Sequence, residues 1–260
     1  MTLAGTPGDS GQLRLSNIRP THGLLGSERP DSRLLPGDVF FVTFDIDGLK
    51  VDDSGTMLYT MSMEVRNNTN NKIEYKSEPQ DLDAPVPLGG HSLPGFAHVD
   101  LGREMAAGEY TLKVTVSDRR TKSRESKYFE KKFEVLPATF GMIRLNIAYD
   151  KDGQVPAPHI GVAGQSFWVN FNAVNFERGG DFNPKIKLEM QVVDEKGKPT
   201  LDSPIAGSIT ELPREFSYAP TQFWLPLNRA GKFTVKLKAT DNIGKKTSEL
   251  SFPISVYDSK

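Results

Sequence analysis

The sequence predicts an all-β chain of two tandem antiparallel β-sandwich domains related by internal duplication. Apolar and polar residues alternate with period 2 along one segment after another, and two of those segments recur 127 residues downstream, with others recurring at nearby offsets. No stretch carries the apolar stripe of a helix. Thr, Val, Phe and Tyr fill the alternating positions, as suits a pleated, half-buried surface.

The elements follow in order. Leu13-Arg-Leu-Ser-Asn-Ile18 and Ile143-Arg-Leu-Asn-Ile147 mark the first strand of each copy. Gly37, Phe40, Val42 and Phe44 then match Gly164, Phe167, Val169 and Phe171. At the same offset Tyr59, Met61, Met63 and Val65 fall on Ile186, Leu188, Met190 and Val192. Ala107-Gly-Glu-Tyr-Thr-Leu-Lys-Val-Thr-Val-Ser-Asp118 parallels Ala230-Gly-Lys-Phe-Thr-Val-Lys-Leu-Lys-Ala-Thr-Asp241, and each run leads through a turn to a last strand, 129–135 or 250–256. Asp194-Glu-Lys-Gly-Lys-Pro199 and Asp241-Asn-Ile-Gly244 carry turn chemistry. Pro137 closes the first copy, so the expected organisation is a flexible N-terminal segment, 1–12, and sandwiches at 13–137 and 138–260. Copies of this size hold about seven to nine strands.

The two duplicated runs ending at Asp118 and Asp241, together with Gly164-Gln-Ser-Phe-Trp-Val-Asn-Phe171, resemble bacterial immunoglobulin-like or fibronectin-like modules. They are similar in particular to two-domain planctomycete-type β-sandwich proteins. The resemblance implies two tandem immunoglobulin-like antiparallel sandwiches serving adhesion, scaffolding or ligand presentation, and brings no active-site residues with it. The antibody pattern of two cysteines around a buried tryptophan is missing, since the chain has no cysteine.

Composition narrows the function classes. Among 260 residues, 32 Lys and Arg balance 33 Asp and Glu, so no overall field draws nucleic acid or an anionic membrane. The absence of cysteine removes disulfides, thiolate metal sites and cysteine nucleophiles. No apolar run approaches the roughly 18 residues of a membrane span, and the polar start of the chain reads as no export signal, which favours the cytoplasm over export. Gly90-His-Ser-Leu-Pro-Gly95 misses the nucleophile-elbow spacing and lacks its strand-to-helix turn. Phosphate-binding glycine loops and zinc-protease helices are absent as well. His22, His91, His98 and His159 are scattered along the chain and read as surface or turn residues. No catalytic residue and no cofactor is expected.

Asp45-Ile-Asp47-Gly48 and Asp150-Lys-Asp152-Gly153 read as acidic loops, and calcium gathers several such oxygens on one loop. Asp150 and Asp152 are the better metal candidates, although turn chemistry alone explains Asp beside Gly.

The aromatics give the main functional hint. If Phe167, Val169 and Phe171 point inward, alternation turns Trp168, Asn170 and Asn172 outward, and Phe41 holds the place of Trp168 in the first copy. Trp224 is outward by the same reasoning, between Phe223 and Leu225. Outward aromatics meet the other domain, a partner protein or a flat sugar ring. Trp168, Trp224, Phe41, Asn170 and Asn172 are therefore the candidate partner- or ligand-binding residues. A non-enzymatic protein-interaction or structural module is the leading expectation. Carbohydrate binding is second, and a hydrolase or metal enzyme with an interdomain site third. The basic run 119–127 reads as a solvated hairpin tip that protects a sheet edge, and Asn67-Asn-Thr69, which fits a glycosylation sequon, reads as a turn.

Overall fold

The computed structural model describes residues 12–121 and 125–258. The expected N-terminal segment thus lies outside the described residues except for Gln12. Seventeen strands and no helix are found among the described residues. The first nine are β1 (Arg14–Thr21), β2 (Arg33–Leu34), β3 (Val39–Asp47), β4 (Thr56–Asn67), β5 (Ile73–Lys76), β6 (Gln80–Pro85), β7 (Ser92–Asp100), β8 (Gly108–Asp118) and β9 (Ser126–Val135). They are followed by β10 (Gly141–Ala148), β11 (Ile160–Val162), β12 (Ser166–Val174), β13 (Ile186–Asp194), β14 (Ile205–Ile209), β15 (Tyr218–Pro226), β16 (Gly231–Asp241) and β17 (Lys246–Tyr257).

Four sheets result, with orders β1-β3-β7 and β2-β9-β8-β4-β5, then β10-β12-β15 and β11-β17-β16-β13-β14. The second pair repeats the first position for position, and only β6, which pairs with β4, has no counterpart. The register repeats too. Tyr59 of β4 faces Asp118 of β8, and Ile186 of β13, 127 positions after Tyr59, faces Asp241 of β16.

Alternation sets the cores. Phe40, Val42 and Phe44 are buried on β3 as Phe167, Val169 and Phe171 are on β12. One continuous cluster joins the inward residues of β10, β12 and β15 to those of β13, β16 and β17, including Met142, Phe171, Phe223, Ile186, Val235 and Phe252. Two sheets sharing one apolar layer make a sandwich, and burying each of these large side chains contributes about 1.5–3 kcal/mol.

The chain divides into two compact units. One comprises residues 12–19, Val42–His98 and Gly108–Val135. The other comprises Pro20–Phe41, Val99–Ala107 and the described chain from Leu136 onward. Within that second unit, Arg144 sits at a β-bulge of β10 with φ 56°. Its backbone N–H donates to Asp38 Oδ1 at 2.7 Å, its Nε to the Gly37 carbonyl at 2.8 Å, and its Nη2 to Asp100 at 2.9 Å. A bulge re-aims a side chain, and here the arginine side chain meets two acceptors while its backbone N–H meets a third.

Two expectations need correction. Asp45 and Asp47 lie on strand β3 rather than in a loop. Asp47 accepts from Ser16 at 2.6 Å and Ser92 at 2.8 Å, so its oxygens serve cross-strand hydrogen bonds. His22 and His159 are buried, each 5% exposed, rather than on the surface.

Candidate binding face

Strands β12 and β15 pair in regular register, which sets Trp168 directly opposite Trp224. Asn170 faces Gln222, Asn172 faces Pro220 and Val174 faces Tyr218. Proline cannot donate, so the pairs closed by Pro220 and Pro226 are of the non-hydrogen-bonded kind. The Trp168–Trp224 pair has the same parity and belongs to that kind, in which opposed side chains come closest. Phe167, Val169 and Phe171 are buried inward, leaving Trp168, Asn170 and Asn172 half-buried on the outer face. Trp224 is 55% exposed, and Gln222 and Pro220 are exposed beside it. Strand β15 is an edge of its sheet, so this face ends at an open margin.

Asn146 on β10 stands opposite Asn170 and donates from Nδ2 to the Gly153 carbonyl at 3.1 Å. Gly153 has φ 71°, and a Cβ there would lie 3.2 Å from Asn146 Nδ2 and 3.5 Å from Asn170 Nδ2. The turn 150–153 is therefore laid against the amide row, and the positive φ at its end favours glycine. Asn170 Nδ2 is buried there without a hydrogen-bond partner.

The same turn accounts for Asp150. Its two carboxylate oxygens accept from the N–H groups of Gln154 at 3.0 Å and Val155 at 2.6 Å, and those bonds hold its pKa below the usual carboxylate value. Asp152 is exposed. Among the described residues, no three His, Cys, Asp or Glu side chains gather as a metal site. Phe41 is half-buried on β3, in opposite phase to Phe40 and Val42. The structure thus brings Trp168, Trp224, Asn170, Asn172 and the Asp150 turn onto one sheet, while Phe41 belongs to another.

At the far end of the face from the tryptophans, a groove of about 560 Å³ is lined by Asn172, Tyr218, Arg144, Asp100, Gly102 and Arg103, among others. The Arg103 guanidinium lies 5.2 Å from the centre of the Tyr218 ring. Sequence reasoning missed both residues. Tyr218 shares the parity of Trp224, whereas Arg103 comes from a connection between strands that no periodicity marks.

The histidines form a second cluster. His22 and His159 have near-parallel rings, 6.5 Å between centres, and His159 packs 4.9 Å from the Phe252 ring. None of the four ring nitrogens has a hydrogen-bond partner of ordinary geometry. Burial pushes His22 down to about 3, with Arg29 and His159 adding to the effect. Burial likewise lowers His159 to about 4, against the backbone of Pro253. Arg29 in turn pairs with the buried Asp38 at 3.3 Å. His22 also lines a groove of about 720 Å³ with Arg29, Asp38, Glu189, Lys236 and Glu249.

In the basic hairpin Arg119 pairs with Asp81 at 3.3 Å and Asp83 at 3.1 Å, and Arg120 pairs with Asp52. Lys122 and Arg124 lie outside the described residues. Asn67 is buried, and its Oδ1 accepts from the N–H of Thr69 at 2.9 Å, which is turn geometry.

No family model matches this chain, and no curated protein matches its sequence. Among solved structures it is similar to the C-terminal domain of the Streptococcus agalactiae antigen I/II polypeptide BspA, at 9% identity and TM-score 0.33 over 93% of this chain and all of that one. The C-terminal domain of the Streptococcus pyogenes antigen I/II-family protein AspA gives 9% identity and TM-score 0.33 over 94% of this chain and all of that one. Red sea bream transglutaminase gives 10% identity and TM-score 0.29 over 96% of this chain, which spans 32% of that protein. At these scores none of the likenesses carries an assignment.

Proposed function

We propose that this chain is a non-enzymatic interaction module of a bacterial protein, built from two duplicated immunoglobulin-like sandwiches, and that the outer face of the β10-β12-β15 sheet is its recognition surface. The repeated strand order supports the duplication, and the grouping of β9, β8 and β4 on one sheet with β1, β3 and β7 on the other matches the immunoglobulin-like arrangement. The observation that carries the functional reading is the Trp168–Trp224 rung on the open side of an edge sheet. Tryptophans dominate interface energetics when a partner covers them.

Another protein is the first partner class. Carbohydrate is the second, favoured by the side-chain amides of Asn172 and Gln222, because such groups both donate and accept, as sugar hydroxyls require. Capture from native lysate by the wild type and by a Trp168→Ala, Trp224→Ala double variant of unchanged far-UV spectrum tests the surface. Partners lost only by the variant support it. Equal capture by both proteins makes the tryptophans structural and overturns the reading.

A further inference from the structure

We propose that this face receives an acidic oligosaccharide, with sugar rings on the Trp168–Trp224 rung and along Gln222 and Asn172 and a uronate carboxylate on Arg103. The proposal rests on the face being the recognition surface argued above. From the Trp168 rung to the Val174–Tyr218 rung the strand advances six residues, about 20 Å at the usual strand rise, which makes a lane long enough for several linked rings. One end offers flat aromatic surface, the middle the amides of Gln222 and Asn172, and the far end Arg103, beside an Asp100 that Arg144 engages. That sequence of groups matches the apolar faces, hydroxyls and carboxylate of a uronic-acid chain.

Arg103 is the cation available for such a ligand. It is exposed, and no ion pair of Arg103 is found among the described residues. Its neighbour Arg144 is already engaged by Gly37 and Asp100.

The open margin of β15 argues against a peptide strand as occupant. Pro220 and Pro226 stand at positions whose backbone nitrogens face away from β12, and there they remove donors that an added strand needs. A ligand bound through side chains on the face loses nothing by this.

Titration of the full chain with linear tetragalacturonate, followed by tryptophan fluorescence and calorimetry, tests the proposal against maltotetraose, a neutral tetramer. The wild type is expected to bind the uronate more tightly, and less so as salt rises. Arg103→Gln is expected to weaken uronate binding about tenfold, the scale of one charge-assisted contact, and to remove most of its dependence on salt. The double tryptophan variant is expected to bind neither. No uronate response, or the same affinity in Arg103→Gln, overturns the proposal, as does equal competition by polyglutamate, which would make the site a general anion patch. If uronate fails while lysate capture still depends on the tryptophans, the recognition face stands and only its acidic-sugar ligand falls.

Discussion

Asp118 and Asp241, the last residues of β8 and β16, are buried carboxylates that hold backbone together. Asp241 accepts from the N–H groups of Glu177 at 2.8 Å, Ile243 at 3.0 Å and Gly244 at 3.1 Å. Asp118 does the same for Lys50 at 3.2 Å and Arg120 at 2.7 Å. Asp241→Ala strands three donors, and a loss of about 2–3 kcal/mol in urea unfolding is expected, with Asp241→Asn in between because its amide oxygen still accepts. The histidine pair makes a prediction about pH. Both groups are held below the ordinary histidine value, so as pH falls from 6.5 the unfolded chain takes up protons that the folded chain refuses. Their contribution is complete above about pH 6.5 and is lost as pH falls through about 4 and about 3. Each unit of depression corresponds to about 1.4 kcal/mol. Urea midpoints across this range are expected to fall in the wild type and to fall less steeply in His22→Leu.

At the scale of elements, β15 combines an exposed tryptophan with an open edge, a pairing that invites aggregation unless the edge is blunted. Restoring the two missing donors with Pro220→Thr and Pro226→Thr is expected to promote self-association, read as concentration-dependent mass in light scattering. An unchanged monomer signal would show that the prolines do not protect this edge. Arg178 organises two connections that flank the same sandwich. Its guanidinium donates to the carbonyls of Phe182 at 2.7 Å, Leu212 at 2.9 Å, Pro213 at 3.0 Å and Phe216 at 2.7 Å. Arg178→Ala is expected to cost about 3 kcal/mol, and Arg178→Lys to recover little, because a point charge cannot span four acceptors. Hydrogen exchange of residues 178–184 and 212–216 checks this.

At the scale of the whole molecule, the second unit draws on distant parts of the chain. Arg144 is bound by Gly37, Asp38 and Asp100, and His159 stacks on His22. A fragment spanning 138–260 keeps the continuous apolar cluster but loses these partners. It is expected to fold with a lower melting temperature than the same unit in the full chain, followed through Trp168 and Trp224. An equal melting temperature would mean that segments 20–41 and 99–107 add nothing to this unit's stability.

The strands, their phase and the likeness of segments in the two halves of the chain were legible in the sequence. Those properties follow from a two-residue period and local turn chemistry, and both can be read within short windows. The outward phase of Trp168, Asn170 and Asn172 was legible for that reason. Only the tertiary structure decided that Trp168 meets Trp224, that the turn at Gly153 lies on Asn146 and Asn170, that His22 and His159 share one buried site, and that Arg103 reaches Tyr218. Each of these joins residues from separate strands or connections, and sheet register and loop path are fixed by the packing of the whole sandwich, to which no local pattern gives access.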